Sequence, residues 1–410
     1  MNVRHCFLAV LVLLVGTGAR AQGWQELAPM PTARYGAAIT VLDDFVFIMG
    51  GRSASGQVLD TGHYYEVSTN SWTPIAQLRR PRVNAAAAPF FGRILLIGGR
   101  DDEGEVRNDV DDYDPQLDDW EGFFDDLNYE REGPAAFTID NEVYVFGGSD
   151  AAGTFRGDCE YFSLSGEWEP YTPWSLSEPR AAFGAVPDLT GVTVFGGFSQ
   201  FGPLADAERY EPGVGGTPIA PLPEARGALA SAGDGTRVFA IGGRNAAGQV
   251  VSRVDVYVPS QNQWVTTTPL PQPREGAVAA VVGEWLYVFG GRDAAGNVLT
   301  STIALRHTTA SEDETPGSAA LALMEPHPNP FHDRTRVELE VAAPGVVLAE
   351  VFDALGRRVA VLSDGPLGAG RHTLTWNGAA SDGRPLAAGV YLVRVRQGVH
   401  TAARRLTLVR

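Results

Sequence analysis

A pair of adjacent glycines ends a short apolar run six times along this 410-residue chain, at nearly constant spacing. The pairs begin at positions 50, 98, 147, 196, 242 and 290, so consecutive pairs are 48, 49, 49, 46 and 48 residues apart. A short run of apolar, strand-forming residues precedes every pair. A repeat of this length indicates small structural units that bury their apolar faces against one another. The chain is therefore expected to contain six similar all-β units.

Four further positions keep register with the glycine pairs. A single glycine lies six residues after the first glycine of every pair, a tyrosine follows in five units, and a tryptophan lies seven residues beyond that tyrosine in four of them. An arginine lies 16 residues before the first glycine in every unit, at Arg34, Arg82, Arg131, Arg180, Arg226 and Arg274. Small residues after each arginine suit a crowded innermost strand, and the aromatic residues suit the wider outer part of a sheet. Each unit is therefore predicted to contain four strands.

The two ends of the repeat region complement each other. The sixth unit lacks its aromatic positions, where Leu305 and Glu312 stand instead. Residues 24–34 match residues 264–274, with ten residues from the tryptophan to the arginine in both. The N-terminal segment is therefore expected to supply the outermost strand of the sixth unit and so to close a ring.

The succession of Gly-Gly, Tyr, Trp and Pro-x-x-Arg over residues 24–307 resembles the kelch repeat. This resemblance implies a six-bladed kelch β-propeller. Propellers of this family mostly bind partners, and some are enzymes.

The ends of the chain carry different signals. Residues 1–21 are predicted to be a signal peptide, because a weakly basic start and a short apolar run precede Ala19-Arg20-Ala21. The apolar run of about 11 residues is too short to span a bilayer, and no transmembrane segment is expected in the mature chain. We assign residues 22–307 to the propeller and the polar, aperiodic residues 308–325 to a linker.

Residues 326–410 are predicted to form a β-sandwich, because alternating strands are separated there by turn signals. Pro-Asn-Pro-Phe at 328–331, Trp-Asn-Gly at 376–378 and Ala-Gly-Val-Tyr at 388–391 resemble the C-terminal domain of proteins exported by the bacterial type IX route. They also resemble the immunoglobulin-like domain of flagellar hook-capping proteins. The resemblance implies a sorting domain that engages export machinery, and a protein that is secreted or held at the bacterial cell surface. The alternative is a sandwich module without a sorting role.

The predicted fold class is therefore all-β, with a six-bladed kelch β-propeller followed by a small antiparallel immunoglobulin-like β-sandwich. The formal net charge is −17, and residues 22–320 contain 41 acidic residues against 19 arginines. Such a surface repels phosphates, which argues against nucleic acid as a partner. Cys159 is the only cysteine after the signal peptide, so no intrachain disulfide is expected.

The six phased arginines are the first candidates for ligand binding. They lie at the entry to the predicted innermost strands, where six guanidiniums could surround the mouth of a central channel and bind carboxylates or acidic sugars. The alternative is structural, with each guanidinium bonded to backbone carbonyls or to an acid between blades. Recurrence in every unit favours the structural alternative.

Other polar groups suggest further sites. A second set of arginines directly follows the glycine pairs, where loops commonly form a propeller's binding face: Arg52, Arg100, Arg244 and Arg292. Residues 101–126 hold 13 acids, and calcium is a hypothesis for four of them: Asp101, Asp102, Asp109 and Asp111. No spacing there matches a known calcium loop. The tripeptide Arg156-Gly157-Asp158 is of the integrin-binding type, and we expect it to be coincidental.

The favoured function is a binding module that recognises a protein or a glycan through the propeller loop face. The alternative is a carbohydrate-active enzyme of the sialic-acid mutarotase type, which needs only a carboxylate and arginines near a sugar. Glu132, Glu275 and Glu284 could supply that carboxylate. A third possibility is a structural envelope protein. No cofactor is expected, because the chain has no nucleophile motif, phosphate loop or cluster of metal ligands, and a copper site is disfavoured because residues 22–307 hold only His63 and His307.

Overall fold

The computed structural model describes two stretches of the chain, residues 23–307 and 321–409. Within them it leaves out residues 43–44, 123, 140–141, 163–166, 189–190, 212–213, 325, 342–343, 354–357, 382 and 398–399. The predicted signal peptide and residues 308–320 of the predicted linker lie outside the described residues. Among the described residues, no helix is long and apolar enough to cross a membrane.

Six four-stranded antiparallel sheets, called blades 1 to 6, follow one another along residues 23–307. Blade 1 consists of Ala38–Leu42, Phe45–Met49, Gly62–Glu66 and Ser71–Ile75. Blade 2 consists of Ala86–Phe90, Arg93–Ile97, Val110–Asp114 and Asp119–Glu121. Blade 3 consists of Ala135–Ile139, Glu142–Phe146, Asp158–Phe162 and Trp168–Ser175.

The second half of the repeat region continues this pattern. Blade 4 consists of Gly184–Asp188, Gly191–Phe195, Ala207–Glu211 and Gly215–Pro218. Blade 5 consists of Ala230–Gly233, Val238–Ile241, Val254–Val258 and Gln263–Thr266. Blade 6 consists of Val278–Val282, Trp285–Phe289, Thr302–Arg306 and Gln25–Leu27. Two small ladders and one 3-10 turn complete the described propeller: Phe198–Ser199 with Gly202–Pro203, Arg226–Gly227 with Arg244–Asn245, and Pro259–Gln261.

The N-terminal strand closes the ring, as the repeat pattern predicts. Gln25 lies opposite Ala304, so the first strand in the sequence becomes the outermost strand of blade 6. The innermost strands contact each other in sequence, and that of blade 6 contacts that of blade 1. Every blade therefore has a neighbour on both sides.

A cycle of six backbone hydrogen bonds surrounds one end of the central channel. The residue two positions after each phased arginine donates its N–H to the equivalent carbonyl of the preceding blade at 2.7–2.9 Å. These residues are Gly36, Asn84, Gly133, Ala182, Ala228 and Gly276, and all have φ between 50° and 65°. The last bond of the cycle, from Gly36 to Gly276, joins blade 1 to blade 6. This end of the channel is therefore fixed by backbone geometry alone.

The tyrosine and tryptophan positions hold the outer parts of neighbouring blades together. In blade 1, Trp72 Nε1 donates to the Ala28 carbonyl at 2.9 Å, and the Ala28 N–H donates to Asn70 Oδ1 at 2.8 Å. The Tyr65 hydroxyl donates to the same Asn70 oxygen at 2.8 Å. The same three bonds recur with Tyr113, Asp118 and Trp120 in blade 2 and with Tyr257, Asn262 and Trp264 in blade 5. One set of contacts thus explains both aromatic positions of the repeat.

The C-terminal sandwich has two sheets around its own apolar core. One sheet contains Leu321–Leu323, Thr335–Val341 and Gly370–Trp376. The other contains Arg358–Leu367, Gly345–Asp353, Gly389–Gln397 and His400–Leu408. Leu323 packs into this core. The sandwich therefore begins before residue 326, inside the segment 308–325 that the sequence predicts as linker.

The glycine pairs give a direct test of this packing. A side chain at Gly50 would overlap the Arg82 carbonyl oxygen of the next blade, and Gly50 has a φ of +63°. Gly56 has a similar left-handed backbone, with φ +86°, but open space around it. We expect Gly50→Ala to lower the free energy of unfolding by about 3 kcal/mol and Gly56→Ala by about 1–2 kcal/mol. Urea denaturation of both variants measures the difference, and equal losses would show that blade contact at Gly50 contributes little.

Candidate functional site at the channel mouth

The six phased arginines turn into their own blades rather than into the channel. Each is at most 3% exposed, and each donates from Nη1 to the carbonyl of the first glycine of its own pair. This bond measures 2.8 Å from Arg131 to Gly147. The arginine's own carbonyl accepts from the second glycine of the preceding pair, as in Gly99 to Arg131 at 2.7 Å. One arginine thus ties two blades together, which supports the structural alternative for this set.

Carboxylates compensate four of these buried guanidiniums. The partners lie on the third strand or just before it: Asp109 and Asp111 for Arg82, Asp158 and Glu160 for Arg131, Glu208 for Arg180, and Asp255 for Arg226. Arg34 instead bonds to Thr61 and His63, and Arg274 bonds to Ser301. Burial lowers the pKa of both Arg34 and Arg274 to about 10.

The four acids proposed for calcium do not share one site. Asp109 and Asp111 both face Arg82, and burial raises the pKa of Asp111 despite that arginine. Asp101 accepts backbone N–H groups of Glu103 and Glu105 at a hairpin tip, and Asp102 is exposed. Across the described part of the chain, no three His, Cys, Asp or Glu residues are grouped to hold a metal.

The integrin-type tripeptide is part of the same ion-pair network. Arg156 bonds to Asp158 at 3.0 Å and lies 4.0 Å from the centre of the Tyr129 ring. Asp158 also faces the buried Arg131. Both charged groups of the tripeptide are therefore occupied by the protein itself.

The second set of arginines lies on a rim around the mouth of the channel. The rim consists of the residue after each phased arginine, bridged to the residue after each glycine pair. Its six pairs are Tyr35 with Arg52, Val83 with Arg100, Glu132 with Ser149, Ala181 with Phe198, Gly227 with Arg244, and Glu275 with Arg292. The scaffold repeats in every blade, whereas the side chains of the rim differ from blade to blade.

The rim carries its strongest charges between blades 5, 6 and 1. Glu275 accepts hydrogen bonds from Arg244 Nε at 2.7 Å and from Arg292 Nη2 at 2.6 Å. Arg292 also lies 4.8 Å from the centre of the Tyr35 ring. Burial of Glu275 raises its pKa. Hydrogen bonds from the two arginines outweigh this effect and hold the pKa below the ordinary value of 4.5. These three side chains together carry one positive charge, which the carboxylate of Asp293 in the same cleft offsets.

A second, smaller network lies between blades 2 and 3. Arg100 Nε donates to Glu132 at 2.7 Å, and Asn84 Nδ2 donates to the other carboxylate oxygen at 2.9 Å. Arg52 is half-buried and donates to the Gly56 carbonyl of its own hairpin. Both rim carboxylates, Glu132 and Glu275, are therefore engaged by protein donors.

The space around these groups favours ligand contact at the rim. A cleft of about 640 Å³ between the hairpins of blades 5 and 6 is lined by Arg244, Gln249, Arg292 and Asp293. The channel itself, of about 470 Å³, is lined mainly by small apolar residues of the innermost strands. Polar ligands therefore have hydrogen-bonding partners at the rim and few inside the channel.

Sequence reasoning named Arg244, Arg292 and the two glutamates separately and did not bring them together. Tyr35 and Asn84 were missed as members of the site. The signal that could have found Tyr35 is the position directly after each phased arginine, and Asn84 lies one residue further along the chain. The position directly after the arginine varies from unit to unit, as Tyr, Val, Glu, Ala, Gly and Glu.

Comparisons with known proteins agree with this architecture. The kelch motif matches residues 33–79, 130–173 and 225–271, and the FlgD Ig-like domain matches residues 332–399. The structure titled "Structure of YjhT" superimposes with a TM-score of 0.61 at 17% identity, covering 70% of this chain and 98% of that one. The fold is a kelch-type β-propeller with an immunoglobulin-like domain after it. The predicted fold class is thereby confirmed.

The curated relatives that this chain matches share only short segments with it. Beta-scruin of Limulus polyphemus is 31% identical over 52 residues, which are 13% of this chain and 6% of that protein. An F-box/kelch-repeat protein of Arabidopsis thaliana is 34% identical over 55 residues, which are 13% of this chain and 15% of that protein. The chain thus matches a small part of the length of either relative.

The ion pairs of Glu275 predict a pH-dependent contribution to stability. Because its pKa is lower in the folded state, its contribution is complete above the unfolded value of 4.5 and is lost as pH falls through the folded value. We expect Glu275→Gln to lower the free energy of unfolding by about 1 kcal/mol at neutral pH, and the difference from wild type to shrink as the pH falls below 4.5. Urea titrations across this range measure it. Glu284→Gln, in an exposed pair with Arg306, is the control and should show almost no difference; a pH-independent loss for Glu275→Gln would contradict the assignment.

Proposed function

We propose that the protein is a binding module that recognises an acidic group of a protein or glycan through the rim of its kelch propeller. The observation that carries this proposal is the cluster of Arg244, Arg292 and Glu275 beside an open cleft. Its two guanidiniums are each about one-third exposed, so both retain N–H donors near solvent. An arginine presents a planar set of donors that matches a carboxylate.

The acidic surface around the rim makes the proposed binding site selective. Residues 22–320 carry 22 more acids than arginines, so an anionic ligand is repelled from most of the propeller. In the cleft, two guanidiniums are balanced by the carboxylates of Glu275 and Asp293, so the repulsion of an acid is relieved locally. This arrangement admits a ligand with one well-placed acid and disfavours long polyanions such as nucleic acid.

An enzyme of the sialic-acid mutarotase type is the second candidate. It is favoured by the position of Glu132 and Glu275, which break the repeat at the channel mouth and lie beside arginines. Acid–base catalysis requires a carboxylate that can exchange a proton with the sugar. Glu275 is held by two arginines and has a lowered pKa, which makes it a weak base and favours the binding function.

Binding is tested with the full chain on a glycan array and in thermal-shift assays with acidic sugars and acidic peptides. We expect ligands that raise the melting temperature to carry a carboxylate, and Arg244→Ser or Arg292→Ser to weaken binding about tenfold. Arg306→Ser removes the same charge at the opposite end of blade 6 and is the matched control. Equal binding by all three variants would show that the rim is not the binding site. Nuclear magnetic resonance of sugar anomers in the same samples tests the enzyme candidate, which predicts faster exchange with wild type than with Glu275→Gln.

We further propose that the protein is secreted or held at the bacterial cell surface and that its immunoglobulin-like domain engages the export machinery. The FlgD Ig-like match at residues 332–399 and the signal-peptide features of residues 1–21 support this proposal. The test is expression in a bacterium that has a type IX route. We expect the full chain at the surface or in the medium, and a chain ending at residue 320 to stay in the periplasm. Export of both chains to the same extent would refute a sorting role.

A further inference from the structure

The hairpin of blade 4 is the one whose tip carries a large apolar side chain. The equivalent tip residues of the six blades are Ser55, Glu103, Ala152, Phe201, Ala247 and Ala295. Phe201 is 80% exposed, the largest exposed fraction among the large hydrophobic residues of the described chain. Covering this ring with a partner would remove its apolar surface from water, which is favourable.

The backbone holds this ring in place. Phe198–Ser199 pairs with Gly202–Pro203 across the hairpin, and the Phe201 N–H donates to Ser199 Oγ at 3.1 Å. Ser199 is itself only 5% exposed. Phe201 is therefore presented on an ordered turn, which lowers the entropy lost when a partner covers it.

The base of this hairpin is continuous with the charged part of the rim. The Phe198 ring lies over Gly227, since a side chain at that glycine would overlap it. Gly227 pairs with Arg244 in the next ladder, and Arg244 bonds to Glu275. An unbroken line of contacts thus leads from the apolar hairpin of blade 4 to the arginines of blades 5 and 6.

We infer that the rim binds a polypeptide segment in which an acidic side chain lies close to a large apolar one. This inference rests on the proposed function and narrows its ligand from protein or glycan to protein. The acid would contact Arg244 and Arg292, while the apolar residue packs against Phe201. Exposed aromatic residues next to arginines are the side chains that contribute most to binding in protein interfaces. A sugar ring would also stack on Phe201, so an acidic glycan is the competing ligand.

The test selects ligands from a phage-displayed library of random dodecapeptides on the immobilised full chain. We expect enriched peptides to contain Asp or Glu near an aromatic or branched aliphatic residue. Phe201→Ser should weaken their binding about tenfold, and Arg292→Ser should weaken it to a similar extent. Val214→Ser removes another exposed apolar side chain of blade 4 and is the matched control, which should bind as wild type does.

The outcomes separate this inference from the proposed function. Peptides that bind Phe201→Ser as tightly as wild type would overturn the inference. So would acidic glycans that bind through Arg244 and Arg292 when no peptide is enriched, although the proposed function would then stand. Self-association of wild type that Phe201→Ser abolishes, measured by light scattering, would also overturn it, because a second copy would then cover the ring.

Discussion

The contact between each phased arginine and the glycine pairs holds the blades together. The guanidinium donates to the first glycine of its own blade, while the arginine carbonyl accepts from the second glycine of the blade before, as Arg131 does with Gly147 and Gly99. The glycines are required because their backbones are left-handed, and at the first glycine of each pair a side chain would overlap the arginine carbonyl of the next blade. The arginine is required because only its planar fork reaches a carbonyl and a third-strand partner together. Two positions 16 residues apart in sequence are thus one structural contact.

The side chains proposed to bind a ligand lie at the positions beside this contact. The residues after the arginine and after the glycine pair face each other on the rim and are free to differ, since their side chains are not part of the contact that every blade repeats. In blades 5 and 6 these rim positions hold Arg244, Arg292 and Glu275, and in blade 4 one of them holds Phe198. A uniform scaffold therefore presents a surface that is charged on one side and apolar on another.

Much of the fold could be predicted because it follows from periodicity. The glycine spacing gives the blades, the Trp24 match gives the closing strand, and alternation gives the sandwich strands. Recurrence in every unit favours a structural role for the phased arginines, but their exact partners could not be predicted, because these are fixed only when the strands pair and neighbouring blades pack. The left-handed backbone of Ala182 and Ala228 could not be predicted either, because alanine rarely adopts this conformation and only the closed ring imposes it. The pairing of Glu275 with Arg244 spans two blades, so its geometry exists only after the ring closes.

The ring is expected to be one cooperative unit whose blades cannot open singly. Six N–H groups, at residues 36, 84, 133, 182, 228 and 276, form a closed cycle of hydrogen bonds around the channel. Residue-resolved hydrogen exchange of these amides in the full chain measures whether they open together. We expect all six to exchange with the same free energy of opening, equal to that of global unfolding. Faster exchange of one or two of them, with the others still protected, would show that individual blades open independently and would contradict it.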